Sequence, residues 1–308
     1  MRKYIIKKLL IFIPALFTII TITFFLIRLA PGGPFDKDKN VPPEVLKNLE
    51  KYYHLDEPLY KQYLRYIVNI AKFDLGPSFR KPSYSVKEWI ILRLPISMEL
   101  GFYALTFALL IGMPCGLISA LKNNTTIDVI ITFLGIIGIC IPSFVSGPVL
   151  SLIFGIKLDL LPIAGWDLPQ QKILPSISLG LIYSAYITRI FRSSLIEILN
   201  KEYIRTAKAK GLSPTRILLV HASKGALQPV VAFLGPAIAN LLTGSFVVET
   251  IFGIPGLGRE FVDATFNRDY TMIMGIVIFY AVLILIFNLL VDIIQGWLDP
   301  RISYDQSL

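Results

Sequence analysis

Few residues in this sequence have the types and spacing that chemistry needs. His54 and His221 are isolated, with no H-x-x-x-H or Cys/His pattern around either, so no metal site is expected. The stretch "FGIPGLGRE" (252–260) has the glycine content of a phosphate cradle but follows no strand–helix unit. It reads as a turn leading into a surface helix. No G-x-x-x-x-G-K-[ST] loop occurs, so the chain is not expected to hydrolyse nucleotide or to hold a cofactor. One dense cluster of charge remains, in "KEYIRTAKAKGLSPTRILLVHASKG" (201–225). Lys201, Arg205, Lys208, Lys210, Arg216 and Lys224, with His221, stand there against one acid, Glu202. Long apolar runs lie on both sides of this cluster, and they decide where it sits.

The 308 residues are 54% hydrophobic and only 17% charged. Soluble domains carry nearer ~25% charge, and runs long enough to cross a bilayer make this an all-α membrane protein. Six spans are expected, at 9–27, 100–121, 129–156, 173–188 (extending past Arg189), 226–248 and 271–291. The first follows Arg2, Lys3, Lys7 and Lys8 and is too long for a cleaved signal core. The third contains Pro142 and Pro148 and is expected to kink or tilt. Arg189 and Arg192 are expected to snorkel to the interface at the end of the fourth. Cys115 and Cys140 fall at depths about 9 Å apart, too far for a disulfide, which needs Cα atoms within ~7 Å.

Orientation follows from the short loops. The loop 155–172 is balanced and 249–270 is net acidic, whereas 189–224 is strongly basic. The positive-inside bias places the basic segment and both termini in the cytoplasm. The net charge of +9 is read as that bias rather than as a nucleic-acid surface. His54 then lies outside and His221 at the inner surface, so no Ser/His/acid constellation converges. No acid or base falls mid-span, where a proton relay would need one. Asn240 and Asn288 do, and read as interhelical hydrogen-bond groups.

Residues 31–93 are placed outside. Pro42 and Pro43 open a helix through 44–53, and Pro58 opens another through 59–73. The second sets Leu59, Tyr63, Tyr66, Ile67, Ile70 and Phe73 largely on one face. That face either packs on the outer membrane surface or meets an external partner.

In the basic segment, Leu195, Ile196, Ile198, Leu199, Tyr203, Ile204 and Ala207 carry a helical pattern out of the fourth span. Gly211 supplies a left-handed stop, and Ser213–Pro214 a restart with cap and first-turn proline. Adhesion to anionic headgroups would suit such a basic surface helix. The small residues Ala207, Ala209 and Gly211, and the fixed corner, suit docking into a cleft on a soluble partner better.

The sequence "EYIRTAKAKGLSPTRILLVHA" resembles the cytoplasmic "EAA" loop of ABC-importer membrane subunits, in its peptide- and nickel-permease form. Arg205, Thr206, Ala207 and Gly211 occupy the E-A-A…G positions, with Arg and Thr replacing the first two, and "HASK" stands where the general pattern has I-x-L-P. The R-T-A-x-A-K-G-L form, closing in H-A, is matched throughout. "FFLIRLAPGGPFD", "VPPEVLKNLEKYYHLDEP", "FDLGPSF", "GSFVVETIFGIPGLGREFVDATFNRDY" and "LDPRISY" extend the resemblance over nearly the whole chain, closest to the B-type permease of oligopeptide importers.

That resemblance implies a type I ABC-importer permease fold in a bacterial cytoplasmic membrane, with no catalysis of its own. It divides the chain into 1–30 (first span), 31–93 (extracytoplasmic), 94–296 (transport domain with coupling loop about 197–224) and 297–308 (tail). It implies a second permease subunit, two ATP-binding cassette ATPase subunits, an extracytoplasmic peptide-binding protein, a peptide substrate and surrounding lipid. Tyr203, Arg205, Thr206, Ala207, Ala209, Gly211, Leu212 and Pro214 would form the ATPase-coupling surface. Dipeptides, nickel or another small solute remain alternatives within the family. A stand-alone secondary carrier would usually show inverted repeats and broken midplane helices.

Overall fold

A computed structural model describes residues 2–30, 32–35, 42–242 and 245–298. The terminal stretch from 299 onward, and Pro31, Asp36 and Gly244 within the other family-like stretches, lie outside the described residues. Among the described residues five stretches are long and apolar enough to cross a membrane: Lys8–Leu29, Val86–Leu121, Pro169–Leu199, Pro214–Ile251 and Tyr270–Ile294. The first, second and fifth lie in helices α1 (Arg2–Leu29), α4 (Val86–Leu121) and α13 (Tyr270–Leu298); the third is mostly α7 (Ile173–Leu199), and the fourth is centred on α10 (Ser223–Leu242).

The stretch expected as the third span is a bent pair of helices. Helix α5 (Thr126–Cys140) and the limb made of α6 (Ser143–Leu150) with the π-helical turn Ser151–Lys157 meet at 105°. Pro142 has no N–H to continue the ladder and forces Ile141 into extended backbone (φ −85°, ψ 112°). The proline therefore ends one helix and starts another, where the sequence suggested a kink.

Helix α4 begins earlier than its apolar run. Ser85 accepts a hydrogen bond from the Glu88 N–H (3.2 Å), and the Glu88 carboxylate accepts one from the Ser85 N–H (2.9 Å), a reciprocal cap. The resulting 36 residues measure about 54 Å, well beyond a hydrocarbon layer of roughly 30 Å.

Small side chains set the central helix pair. Ala104, Ala108, Gly112, Gly116 and Ala120 recur every fourth residue on α4, facing Gly180, Ser184 and Thr188 on α7. A Cβ on Gly112 would stand 2.8 Å from the Ser184 carbonyl oxygen, and one on Gly116 2.9 Å from that of Thr188. Thr188 Oγ1 donates to the Gly112 carbonyl at 3.2 Å. Such close backbones are how helices gain dispersion contact where lipid supplies no hydrophobic drive.

At one end of this pair Asp128 is buried. It takes two hydrogen bonds from Arg192 (2.6 and 2.7 Å), one from Ser119 Oγ (2.5 Å) and one from the Asn124 N–H (2.9 Å). Arg192 thus ties α7 to the α4–α5 turn, where free snorkelling was expected. At the opposite end, Glu99 accepts from Trp166 Nε1 (2.9 Å) and Lys172 Nζ (2.5 Å), fixing the loop ahead of α7. The cysteines Cys115 and Cys140 are free.

Residues 42–80 cover that opposite end. Helices α2 (Pro43–Tyr52) and α3 (Leu59–Ala71) start at their prolines as expected. Tyr63, Tyr66, Ile67 and Ile70 are half-buried, while Leu59 and Phe73 are exposed, Phe73 beyond the helix end at φ +59°. Three separated stretches then converge. Asp269 accepts from Ser78 Oγ and from the N–H groups of Phe79 (3.2 Å), Arg80 (3.3 Å) and Met272 (3.1 Å). Tyr270 and Arg80 bond the carbonyls of Gly32 and Pro34 at 3.0 and 2.6 Å. Residues 32–35 and the "FDLGPSF" and "NRDY" stretches therefore form one knot that anchors the N-terminus of α13.

Candidate functional site

The basic segment folds as a corner on the end of α7. Lys201 is extended (φ −72°, ψ 150°) and turns the chain into α8 (Glu202–Ala209). Gly211 ends it at φ +74°. The Gly211 N–H reaches the Lys208 carbonyl (2.9 Å), and the Leu212 N–H reaches that of Ala207 (3.3 Å). Glycine takes this left-handed position without a Cβ penalty. Ser213 Oγ then accepts from the Arg216 N–H (3.4 Å), and Pro214 opens the single turn α9 (Pro214–Arg216). The chain passes through π-helical Ile217–Ala222 into α10.

The two faces of α8 differ sharply. Ile204 and Ala207 are buried, with Leu212 packed against them, in a cluster with Leu195 and Ile198 of α7 and Ile217, Ala222, Ala226 and Val230 of the next helix. The expectation that Ala207 leaves room for another molecule is therefore corrected. It lies three residues from Ile204, hence on the same face, and seats α8 on its own chain. Leu212 likewise seats the corner. Tyr203, Arg205, Thr206, Lys208, Ala209, Lys210, Gly211 and Pro214 are exposed. A Cβ on Gly211 would meet nothing within 4 Å. Arg205 pairs with Glu202 (2.9 Å), and the Tyr203 hydroxyl donates to the His221 carbonyl at 3.5 Å.

This surface carries no nucleophile beside a base. It offers a cationic ridge of fixed shape joined by a dry core to two long helices. That core joins α8 to the end of α7 and to the helical stretch that leads into α10.

The glycine-rich stretch has its own resolution. Helix α11 (Phe246–Ile251) is followed by Gly253 at φ +66° and then α12 (Leu257–Phe266). The buried Glu249 carboxylate accepts from the Arg259 N–H (2.9 Å) and from Ser97 Oγ (2.8 Å), and Ser97 Oγ accepts from the Leu257 N–H (2.8 Å). The acceptor at this helix N-terminus is thus the chain's own side chain. A Cβ on Gly256 would collide with Glu249 Oε2, so that glycine admits the carboxylate, and one on Gly258 would stand 2.8 Å from the Phe246 backbone nitrogen. In the sequence Glu249 counts only as a loop charge. Its neighbour in space, Ser97, has no local signal linking it to 249–259. Among the described residues no group of three or more His, Cys, Asp or Glu is placed to hold a metal.

The family described as binding-protein-dependent transport system inner membrane component matches residues 112–304, and its N-terminal counterpart matches 1–101. The oligopeptide transport system permease protein OppB of Haemophilus influenzae is 47% identical over 306 residues, covering 99% of this chain and all of that one (100%). OppB of Escherichia coli K12 is 45% identical at the same coverage (99% and 100%). The dipeptide transport system permease protein DppB of Bacillus subtilis is 44% identical, covering 98% of each chain. Among solved structures, an inward-facing MetNI methionine ABC transporter shares the fold, with TM-score 0.59 at 16% identity over 69% of this chain and 97% of that one.

Proposed function

From the premise that this chain belongs to the family of binding-protein-dependent transport system inner membrane components, we propose that it carries oligopeptides across the cytoplasmic membrane. It is a multi-pass, non-catalytic permease subunit of an ABC importer. In the proposed assembly a second permease completes the pathway, two ATPase subunits dock on the side bearing α8, and an extracytoplasmic protein delivers the peptide. Both termini lie with α8 in the cytoplasm.

The observation that carries this reading is the seating of α8. Its exposed ridge of Tyr203, Arg205, Thr206, Ala209 and Gly211 is where an ATPase groove would close. Its buried Ile204 and Ala207 carry the motion into α7 and α10. A chain with no phosphate loop needs such a lever to be driven by ATP. The peptide assignment rests on the oligopeptide permeases at 45–47% identity. Dipeptides are the second reading, favoured by the 44% identity to DppB.

The test is reconstitution of the complex in liposomes with ATP inside and labelled peptides of two to eight residues outside. ATP-dependent uptake favouring the longer peptides supports the proposal. Uptake confined to dipeptides selects the second reading, and uptake without ATP or ATPase subunits refutes both.

A further inference from the structure

Helix α3 divides into three sectors. At about 100° per residue, Gln62, Tyr63, Tyr66, Asn69 and Ile70 share one side, half-buried against the chain. Tyr60, Leu64 and Val68 follow one another at four-residue spacing on a second side, exposed by 62%, 59% and 50%. Lys61 and Arg65 form the third, Arg65 also pairing with Glu57 (2.8 Å), with Lys72 directly past the helix end. An apolar stripe beside a row of cations is the pattern of a helix lying in a membrane interface.

Position agrees with pattern. The Tyr63 hydroxyl lies 2.7 Å from Thr21 Oγ1. Thr21 is eight residues before Leu29, the end of the span Lys8–Leu29, or about 12 Å deeper along the helix axis. The Tyr63 ring also stacks on Phe25 (5.5 Å), which is itself part of the exposed apolar surface of α1. Tyr63 thus seats the half-buried side of α3 against α1 near the end of that span, leaving the stripe of Tyr60, Leu64 and Val68 on the outer side.

We infer that α3 is embedded in the bilayer surface at the end of the bundle away from α8, with Tyr60, Leu64 and Val68 among acyl chains and Lys61, Arg65 and Lys72 at lipid phosphates. Embedded headgroup-deep, at the ~5–10 Å typical of such helices, it would brace the knot around Asp269 against the membrane.

The test uses the assembled importer in phosphatidylethanolamine–phosphatidylglycerol vesicles. Cys115 and Cys140 are replaced by serine, and single spin labels are placed at positions 60, 61, 64, 65 and 68. Collision with oxygen, which partitions into acyl chains, is compared with collision with a water-soluble nickel chelate. Labels at 60, 64 and 68 should favour oxygen, and those at 61 and 65 the chelate. Free access of the chelate at 64 and 68 would place the stripe in water and overturn the inference. Exclusion of both reagents there would mean that a protein covers the stripe, and would overturn it equally. Three stripe positions are labelled so that one that blocks assembly leaves two to decide. The outcome is independent of which solute the importer carries.

Discussion

Replacing Gly211 by valine isolates the backbone contribution to the corner. Gly211 sits at φ +74° with nothing within 4 Å of a Cβ, so no side-chain collision accompanies the substitution. The cost is conformational: about 1–2 kcal/mol for leaving the left-handed well available to glycine, toward the upper end for a β-branched residue. Helix α8 has only eight residues, too short to hold without its cap and its core contacts. A local cost near 1.4 kcal/mol raises its opened population about tenfold. Amide hydrogen exchange in 202–209 should therefore accelerate about tenfold in Gly211→Val, with α4 and α7 unchanged. Uptake should fall while membrane level stays normal. Gly211→Asn tolerates the same φ better and should retain most of both. Equal exchange in the valine and asparagine variants with equal loss of uptake would refute the strain argument and assign the effect to bulk on the surface.

Ala207→Asp places a carboxylate in the cluster of Ile204, Leu195 and Ile198 and should destabilise the seat by more than about 3 kcal/mol, read as loss of ATPase co-purification; Lys208→Ala, on the exposed face, should leave co-purification intact. Arg192→Ala removes the cation from the Asp128 carboxylate and leaves it the Ser119 hydroxyl and the Asn124 N–H, a loss of about 1–3 kcal/mol; it should lower the melting temperature in detergent, and the double variant with Asp128→Ala should recover part of it. Glu249→Ala removes the acceptor for the Ser97 hydroxyl proton and for the Arg259 N–H, at about 1–3 kcal/mol for a buried donor left unmade, whereas Glu249→Gln should cost less; thermal unfolding compares them. A cysteine at Asn48 should react with an impermeant thiol reagent from outside intact cells and resist the same reagent added to the exterior of everted vesicles.

The corner was legible in the sequence because its signals are local. A glycine stop, a Ser-Pro restart and the basic residues between them need no partner to be recognised, and Gly211 takes the positive φ expected of it. Periodicity also found α2 and α3, whose prolines mark their starts. Periodicity could not say which surface Ala207 faces, since a small residue fits a core and a docking cleft alike. The pairings of Asp128 with Arg192 and of Glu249 with Ser97 join residues far apart in the chain, so nothing beside either partner announces the other. The break at Pro142 was visible as a proline, but its 105° angle comes from how α6 packs on α7 and α11. The four-residue recurrence of Ala104, Ala108, Gly112, Gly116 and Ala120 was present in the sequence and would have predicted the α4–α7 contact.

The central claim is that the exposed ridge of α8 is the seat of an ATPase subunit. A photoactivatable cross-linker at Thr206, compared with one at Lys61 on α3, tests this in membranes containing the whole importer. Thr206 should cross-link to an ATPase subunit in high yield, with a yield that changes when ATP is added, and Lys61 should not. Cross-linking of Thr206 to lipid alone, unchanged by nucleotide, would contradict the account and make the corner a membrane anchor.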